Sequence, residues 1–154
     1  MSRHHSWPLW TGMAAAVVFA LDRGTKFWVT HSLVPGQEVL GGWPAHIYYT
    51  ENNGAAFSIL PQADWLFLAV AVAVVLGILW RWRDLTLEPA WVQVAVGMLL
   101  GGAVANAIDR VTQGYVVDFI QFPHFPVFNV ADSGITIGVV LIVIRIAFGT
   151  GARA

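Results

Sequence analysis

The sequence predicts an all-α integral membrane protein: four transmembrane helices, with a small extracytoplasmic β-sheet lying on the membrane surface. Three observations predict it. Hydrophobic residues make up 57% of the 154-residue chain and charged residues 11%, with a mean hydropathy of +0.66. A soluble domain carries about a quarter charged residues. Four apolar stretches approach the roughly 20 helical residues that cross a bilayer. Between them lie two longer connections that contain strand-forming runs.

The first stretch covers about 9–28. Its apolar span is longer than the core of a cleaved signal peptide, so a spanning helix is the better reading. The second covers about 65–82 and includes the unbroken run from Leu66 to Leu76. The third covers about 90–108 and the fourth about 133–148. All belong to one membrane domain, 1–154. The connections 31–64 and 109–132 face one side. In the first, Val34-Pro35-Gly36 and Gly41-Gly42-Trp43-Pro44 read as turns, and 46–50 as a strand. In the second, 115–122 is strand-like and ends at Pro123.

Basic residues set the orientation. Arg3, Arg81, Arg83, Arg145 and Arg153 fall on one side of a four-span chain, which is the cytoplasmic side. Both termini are then cytoplasmic. The eight tryptophans suit a chain with many residues near lipid headgroups. The net charge of −1 gives no surface for nucleic acid. Cysteine is absent, which excludes disulfides, thiol nucleophiles and thiolate metal sites. The five histidines show no metal-ligand spacing, and no metal or cofactor is expected.

Acidic residues gather at the outer boundary, where an ionisable side chain is costly and usually serves function or a specific partner. Asp22 and Lys26 share a helix face, in the order that favours an ion pair. Asn106 and Asp109 share a face at the outer end of the third helix, after the small residues Gly101, Gly102, Ala103 and Ala105. Arg110 is available to an acid from another helix. Asp118 sits between Val117 and Phe119, which desolvates it. Asp132, just ahead of the fourth helix, reads locally as an N-cap, with Asn129 and Ser133 as alternatives. Two carboxylates held close share one proton. The charged one takes a proton from water, and the neutral one hydrogen-bonds a scissile carbonyl. Spacing alone does not say which two of the four acids meet.

Five motifs resemble those of bacterial lipoprotein signal peptidases (signal peptidase II, an aspartyl peptidase family). Asp22-Arg23-Gly24-Thr25-Lys26 resembles the family's D-x-x-[ST]-K, and 52–58 resembles N-x-G-A-A-F-S. Residues 102–110 resemble G-A-x-x-N-x-x-D-R, 117–119 V-D-F, and 128–133 F-N-x-A-D-S. They occur in the family's order over most of 22–133. The resemblance implies that Asp118 and Asp132 are the catalytic pair, which overrides the plain-cap reading of Asp132. It implies that Asp22, Lys26, Asn52, Gly54, Asn106, Asp109, Arg110, Asn129 and Ala131 shape the site or contact substrate or inhibitor. It further implies removal of the signal peptide from diacylglyceryl-modified prolipoproteins, cut just before the lipidated cysteine. No metal is implied, and inhibition by globomycin is. The expected setting is the bacterial inner membrane, in contact with lipid, as a monomer with its active site at the extracytoplasmic face.

Other classes fit less well. A proton channel or small transporter would place its acids nearer the midplane and show a repeat. A structural scaffold leaves so many polar groups at the helix ends unexplained. A Ser/Lys protease needs a neutral lysine. Lys26 is the only lysine, and its pairing with Asp22 keeps it charged.

Overall fold

The structure, a computed structural model, describes residues 8–39, 44–53 and 64–148. In chain order it contains α1 (Leu9–Ser32), β1 (Glu38–Val39), β2 (His46–Asn52), α2 (Asp64–Trp80), a single turn α3 (Trp82–Leu85), α4 (Ala90–Gln113), β3 (Val116–Gln121) and α5 (Val130–Phe148). The chain is thus mostly helical, with a three-stranded antiparallel sheet of order β1-β2-β3. Among the described residues, α4 and α5 are long and apolar enough to cross a membrane. The apolar helix α2 is shorter. The second half of α1 carries Asp22, Arg23 and Lys26, which lowers its hydropathy despite its 24 residues.

Several ends differ from the sequence-based expectation. α1 runs on to Ser32, because Val29 and Leu33 pack beneath the sheet with Tyr49, Val117 and Phe119. α2 closes at Trp80, and the chain turns at Arg81 into α3. α4 continues past Ile108 to Gln113, so Asp109 and Arg110 belong to the helix rather than to a connection. It stops where Gly114 takes the left-handed conformation (φ 78°) and donates its N–H to the Arg110 carbonyl. α5 starts at Val130, ahead of Ser133, and its cap is Asn129 rather than Asp132. The Asn129 Oδ1 accepts the Asp132 N–H (2.9 Å), and the Asp132 Oδ2 accepts the Asn129 N–H (3.2 Å). This is a reciprocal capping box, with Asp132 at its third helical position.

Polarity runs inside out. α1 buries Thr11, Asp22 and Lys26, and exposes Leu9, Trp10, Met13, Val17, Leu21, Phe27 and Trp28. α5 exposes Ile137, Val139, Val140, Val143, Ile144 and Ile146. Such a surface suits hydrocarbon, which provides no hydrophobic drive between helices and leaves close packing and buried polar bonds to hold them together.

α4 is the central helix, and its glycines allow that packing. A β-carbon at Gly97 or Gly101 would lie 2.4 Å from the carbonyl oxygen of Thr11 or Ala15 in α1. One at Gly102 would lie 2.4 Å from the Ala131 carbonyl oxygen in α5. Contact at backbone distance on two sides of α4 brings the acids of α1, α4 and α5 together at one end of the bundle.

Candidate active site

The sheet positions Asp118. In the β2–β3 register Thr50 lies opposite Asp118 and Asn52 opposite Val116. Side chains alternate along a strand, so Asn52 is a diagonal neighbour on the Asp118 face. Its Nδ2 donates to the Asp118 Oδ2 at 2.9 Å. Val117 and Phe119 point the other way, into the core over α1. From the start of α5, the Asn129 Nδ2 donates to the Asp118 Oδ1 at 2.7 Å.

Asp132 is held from α4 and from its own capping box. The Asn106 Nδ2 donates to the Asp132 Oδ1 at 2.7 Å. Asn129 therefore serves both acids: its amide nitrogen reaches Asp118 while its backbone N–H and Oδ1 engage Asp132. Asp118 and Asp132 both line a cavity of about 720 Å³. Asn52, Asn106, Arg110 and Ser133 add its polar wall. Residues of α2 (Val70, Val74), α5 (Ile135, Ile137) and the loop from Phe125 to Phe128 make the rest apolar. That loop is pinned to β3 by paired backbone bonds between Ile120 and Phe128, and Phe125 packs edge-on against Phe128.

Burial pushes the Asp118 carboxyl up to about 7, and the nearby Asp132 carboxylate adds to the rise. The amides of Asn52 and Asn129 oppose it by stabilising the charged form. Asp118 is thus poised to exchange its proton near neutral pH.

The other two acids form a separate buried cluster. The Lys26 Nζ lies 2.8 Å from the Asp22 Oδ2 and 2.7 Å from the Asp109 Oδ2, and donates to the Asn106 Oδ1 at 2.9 Å. The Asp22 Oδ1 accepts the Ala131 backbone N–H at 3.0 Å, which ties α1 to the first turn of α5. Neither Asp22 nor Asp109 lines the cavity. Arg110 lines the cavity, and its Nη1 lies 3.5 Å from the Asn106 carbonyl. A second cation, Arg23, bridges Asp22 and Asp109 beside Lys26 (3.2 and 2.5 Å). Sequence reasoning gave Arg23 no role, because it occupies a variable motif position. The signal was the charge count: two buried acids against one lysine leave one negative charge unmatched. Gly54 and the motif residues after it lie outside the described residues.

A family model described as signal peptidase (SPase) II matches residues 14–148. The chain belongs to the signal peptidase II family. It is therefore a peptidase of aspartic type, from a family that removes signal peptides from prolipoproteins. A lipoprotein signal peptidase of Brevibacillus brevis is 40% identical over 141 residues, covering 90% of this chain and 95% of that one. One from Nostoc punctiforme is 44% identical, covering 86% and 85%. Among solved structures, a bacterial membrane enzyme determined by the in meso method at 2.3 Å resolution superposes with a TM-score of 0.82 at 31% identity, covering 94% of this chain and 91% of that one. A second such structure, at 1.9 Å resolution, gives 0.79 at 32% identity, covering 91% and 94%. Family and structural neighbours together make this signal peptidase II relative a membrane-embedded protein.

Proposed function

We propose that the protein is a membrane aspartyl endopeptidase that removes the signal peptide from diacylglyceryl-modified prolipoproteins, cutting just before the lipidated cysteine. The observation that carries this reading is one cavity lined by both Asp118 and Asp132, whose remaining wall is largely apolar. A signal-peptide helix fits such a wall, and its scissile peptide would lie at the polar end. Asp118 and Asp132 are the catalytic dyad. Asp118 keeps the shared proton at neutral pH and donates a hydrogen bond to the scissile carbonyl oxygen. Asp132, charged, takes a proton from the attacking water. The proton then passes to the leaving amine as the tetrahedral intermediate collapses.

The remaining site residues take supporting roles. Asn52, Asn106 and Asn129 orient the carboxylates, Arg110 and Gly54 meet substrate, and Asp22, Lys26, Asp109 and Ala131 fix the helix ends. α1, α2, α4 and α5 all span the bacterial inner membrane, with both termini in the cytoplasm and the sheet on the outer face. The enzyme acts as a monomer in contact with lipid, needs no metal, and is blocked by globomycin.

A pH profile of cleavage, followed as a size shift of lipidated prolipoprotein on a gel, tests the shared proton. Cleavage is expected to fall as pH rises through about 7, the value to which Asp118 is pushed, because the dyad then loses its proton. A rate flat from neutral to strongly alkaline pH would contradict it. Asn52→Leu removes a bond that favours charged Asp118, so its carboxyl rises further and the alkaline limb moves to higher pH. A limb that moved toward lower pH would show that Asn52 acts otherwise.

A further inference from the structure

Lys26 does not line the cavity, yet it stands one amide away from Asp132. Its ammonium is buried and has three protons to donate. Asp22, Asp109 and Asn106 accept them, all within 2.9 Å. An ammonium has no acceptor, so the Asn106 atom facing it must be the carbonyl oxygen. The other end of that amide must then be the NH₂ group, and it faces Asp132. Turned over, Asn106 would set its NH₂ against the ammonium and its oxygen against a carboxylate. Both contacts would be repulsive. The same Asn106 oxygen also lies 3.3 Å from the Asn129 Nδ2, the donor that reaches Asp118. One charge therefore gives direction to two of the three amides that serve the carboxylates, Asn52 being the third.

We propose that Lys26 is a positioning residue: through the Asn106 amide it orients the bond that Asn106 gives Asp132 and the bond that Asn129 gives Asp118, and so holds the pair ready to activate water. The cluster around it balances charge against charge. Asp22 and Asp109 are buried acids, and Arg23 supplies the second positive charge, so two cations face two carboxylates. This inference rests on the reading of Asp118 and Asp132 as the dyad.

The test is a double-mutant cycle on purified protein in detergent, with a diacylglyceryl-modified prolipoprotein as substrate. Lys26→Met, Asn106→Leu and the pair together are compared with wild type for kcat, KM and thermal unfolding. Lys26→Met is expected to lower kcat roughly 10- to 100-fold, as a small misplacement of catalytic groups does, with KM within about twofold. In the Asn106→Leu background the same change is expected to add almost nothing, because the amide that transmits it is gone. Lys26→Gln, which restores an NH₂ donor toward Asn106, should recover part of the kcat.

A second full loss from Lys26→Met on top of Asn106→Leu would overturn the proposal, since Lys26 would then act by another route. So would a folded Lys26→Met enzyme with wild-type kcat. Lys26→Met leaves two buried acids short of a partner and is prone to misfold. In that event Asn106→Leu, which leaves the ion cluster intact, decides: a folded protein with wild-type kcat overturns the proposal, and a folded protein with depressed kcat and preserved KM supports it. Asp118→Asn and Asp132→Asn run in the same assay. If either still cuts, the dyad reading fails. If both are dead while Lys26→Met is unaffected, only the positioning role fails.

Discussion

Asp118→Asn and Asp132→Asn should each lower kcat by about 10³-fold or more, while the protein stays folded. Each replaces a carboxyl with an amide of the same shape, so the cavity survives; the amide oxygen keeps one of the two hydrogen bonds and the NH₂ faces the other donor. What is lost is proton exchange: an amide neither takes a proton from water nor gives one to the leaving group. The two losses should not add. The double variant should be about as inactive as either single one, because a dyad with one member gone has already lost its function.

Folding is checked by thermal unfolding in detergent, and the sign of the expected change is informative. The Asp118 carboxyl is raised from 3.8 to about 7, so the folded state holds that proton more tightly than the unfolded chain does. Stability from this group is full below about pH 4 and is lost as pH rises through about 7. Asp118→Asn, always neutral, escapes that loss. Its melting temperature should therefore exceed that of wild type above pH 7 and approach it in acid. The difference is bounded by about 4 kcal/mol, from roughly three pKa units at 1.36 kcal/mol each. An inactive but stabilised protein would be hard to explain for a residue that serves only the fold.

Gly102→Ala should also be damaging, although it removes no polar group. The new β-carbon would stand 2.4 Å from the Ala131 carbonyl oxygen, a backbone atom with no flexible end to give way. α4 and α5 must part, and the first turn of α5 moves with Ala131. That turn carries Asp132 and follows the Asn129 cap. It also donates the Ala131 N–H to the Asp22 carboxylate. A shift of about 1 Å there would cost on the order of 100-fold in kcat. Strain in a packed interface adds a destabilisation of about 1–3 kcal/mol. Gly114→Ala is the useful contrast. It strains a helix end at φ 78° but has open space around the new methyl, so it should cost stability with far less effect on kcat. Equal kcat losses in the two variants would show that distance between α4 and α5 is not what places Asp132.

The sequence made the elements of this site legible where the signal was local. Strand-forming residues mark 46–50 and 115–122, close to the observed β2 and β3. α1, α4 and α5 run further than the apolar stretches alone suggest, while α2 closes earlier. Asp109 and Arg110 look like the start of a loop, yet Lys26 and Arg23 neutralise Asp109 inside the bundle and the helix continues. Asp132 reads locally as a cap because Asp caps helices, but Asn129 caps and Asp132 answers from the third position. The juxtaposition of Asp118 with Asp132 was not readable from spacing at all. It depends on a strand register and on a glycine contact between α4 and α5, both set by tertiary packing. The family motifs pointed to the pair, while the register and the glycine contact show how both come to line one cavity.

A single-turnover reaction in heavy-oxygen water would test the central claim most directly. Enzyme in excess would cut a diacylglyceryl-modified prolipoprotein, and mass spectrometry would read the signal peptide and the enzyme. Water activated by Asp118 and Asp132 puts the heavy oxygen on the new C-terminal carboxylate of the released signal peptide, leaves the enzyme unlabelled, and places the cut just before the lipidated cysteine. Heavy oxygen in the Asp118 or Asp132 carboxylate would mean an acyl-enzyme and a nucleophilic aspartate, and would contradict the account, as would a cut at any other bond.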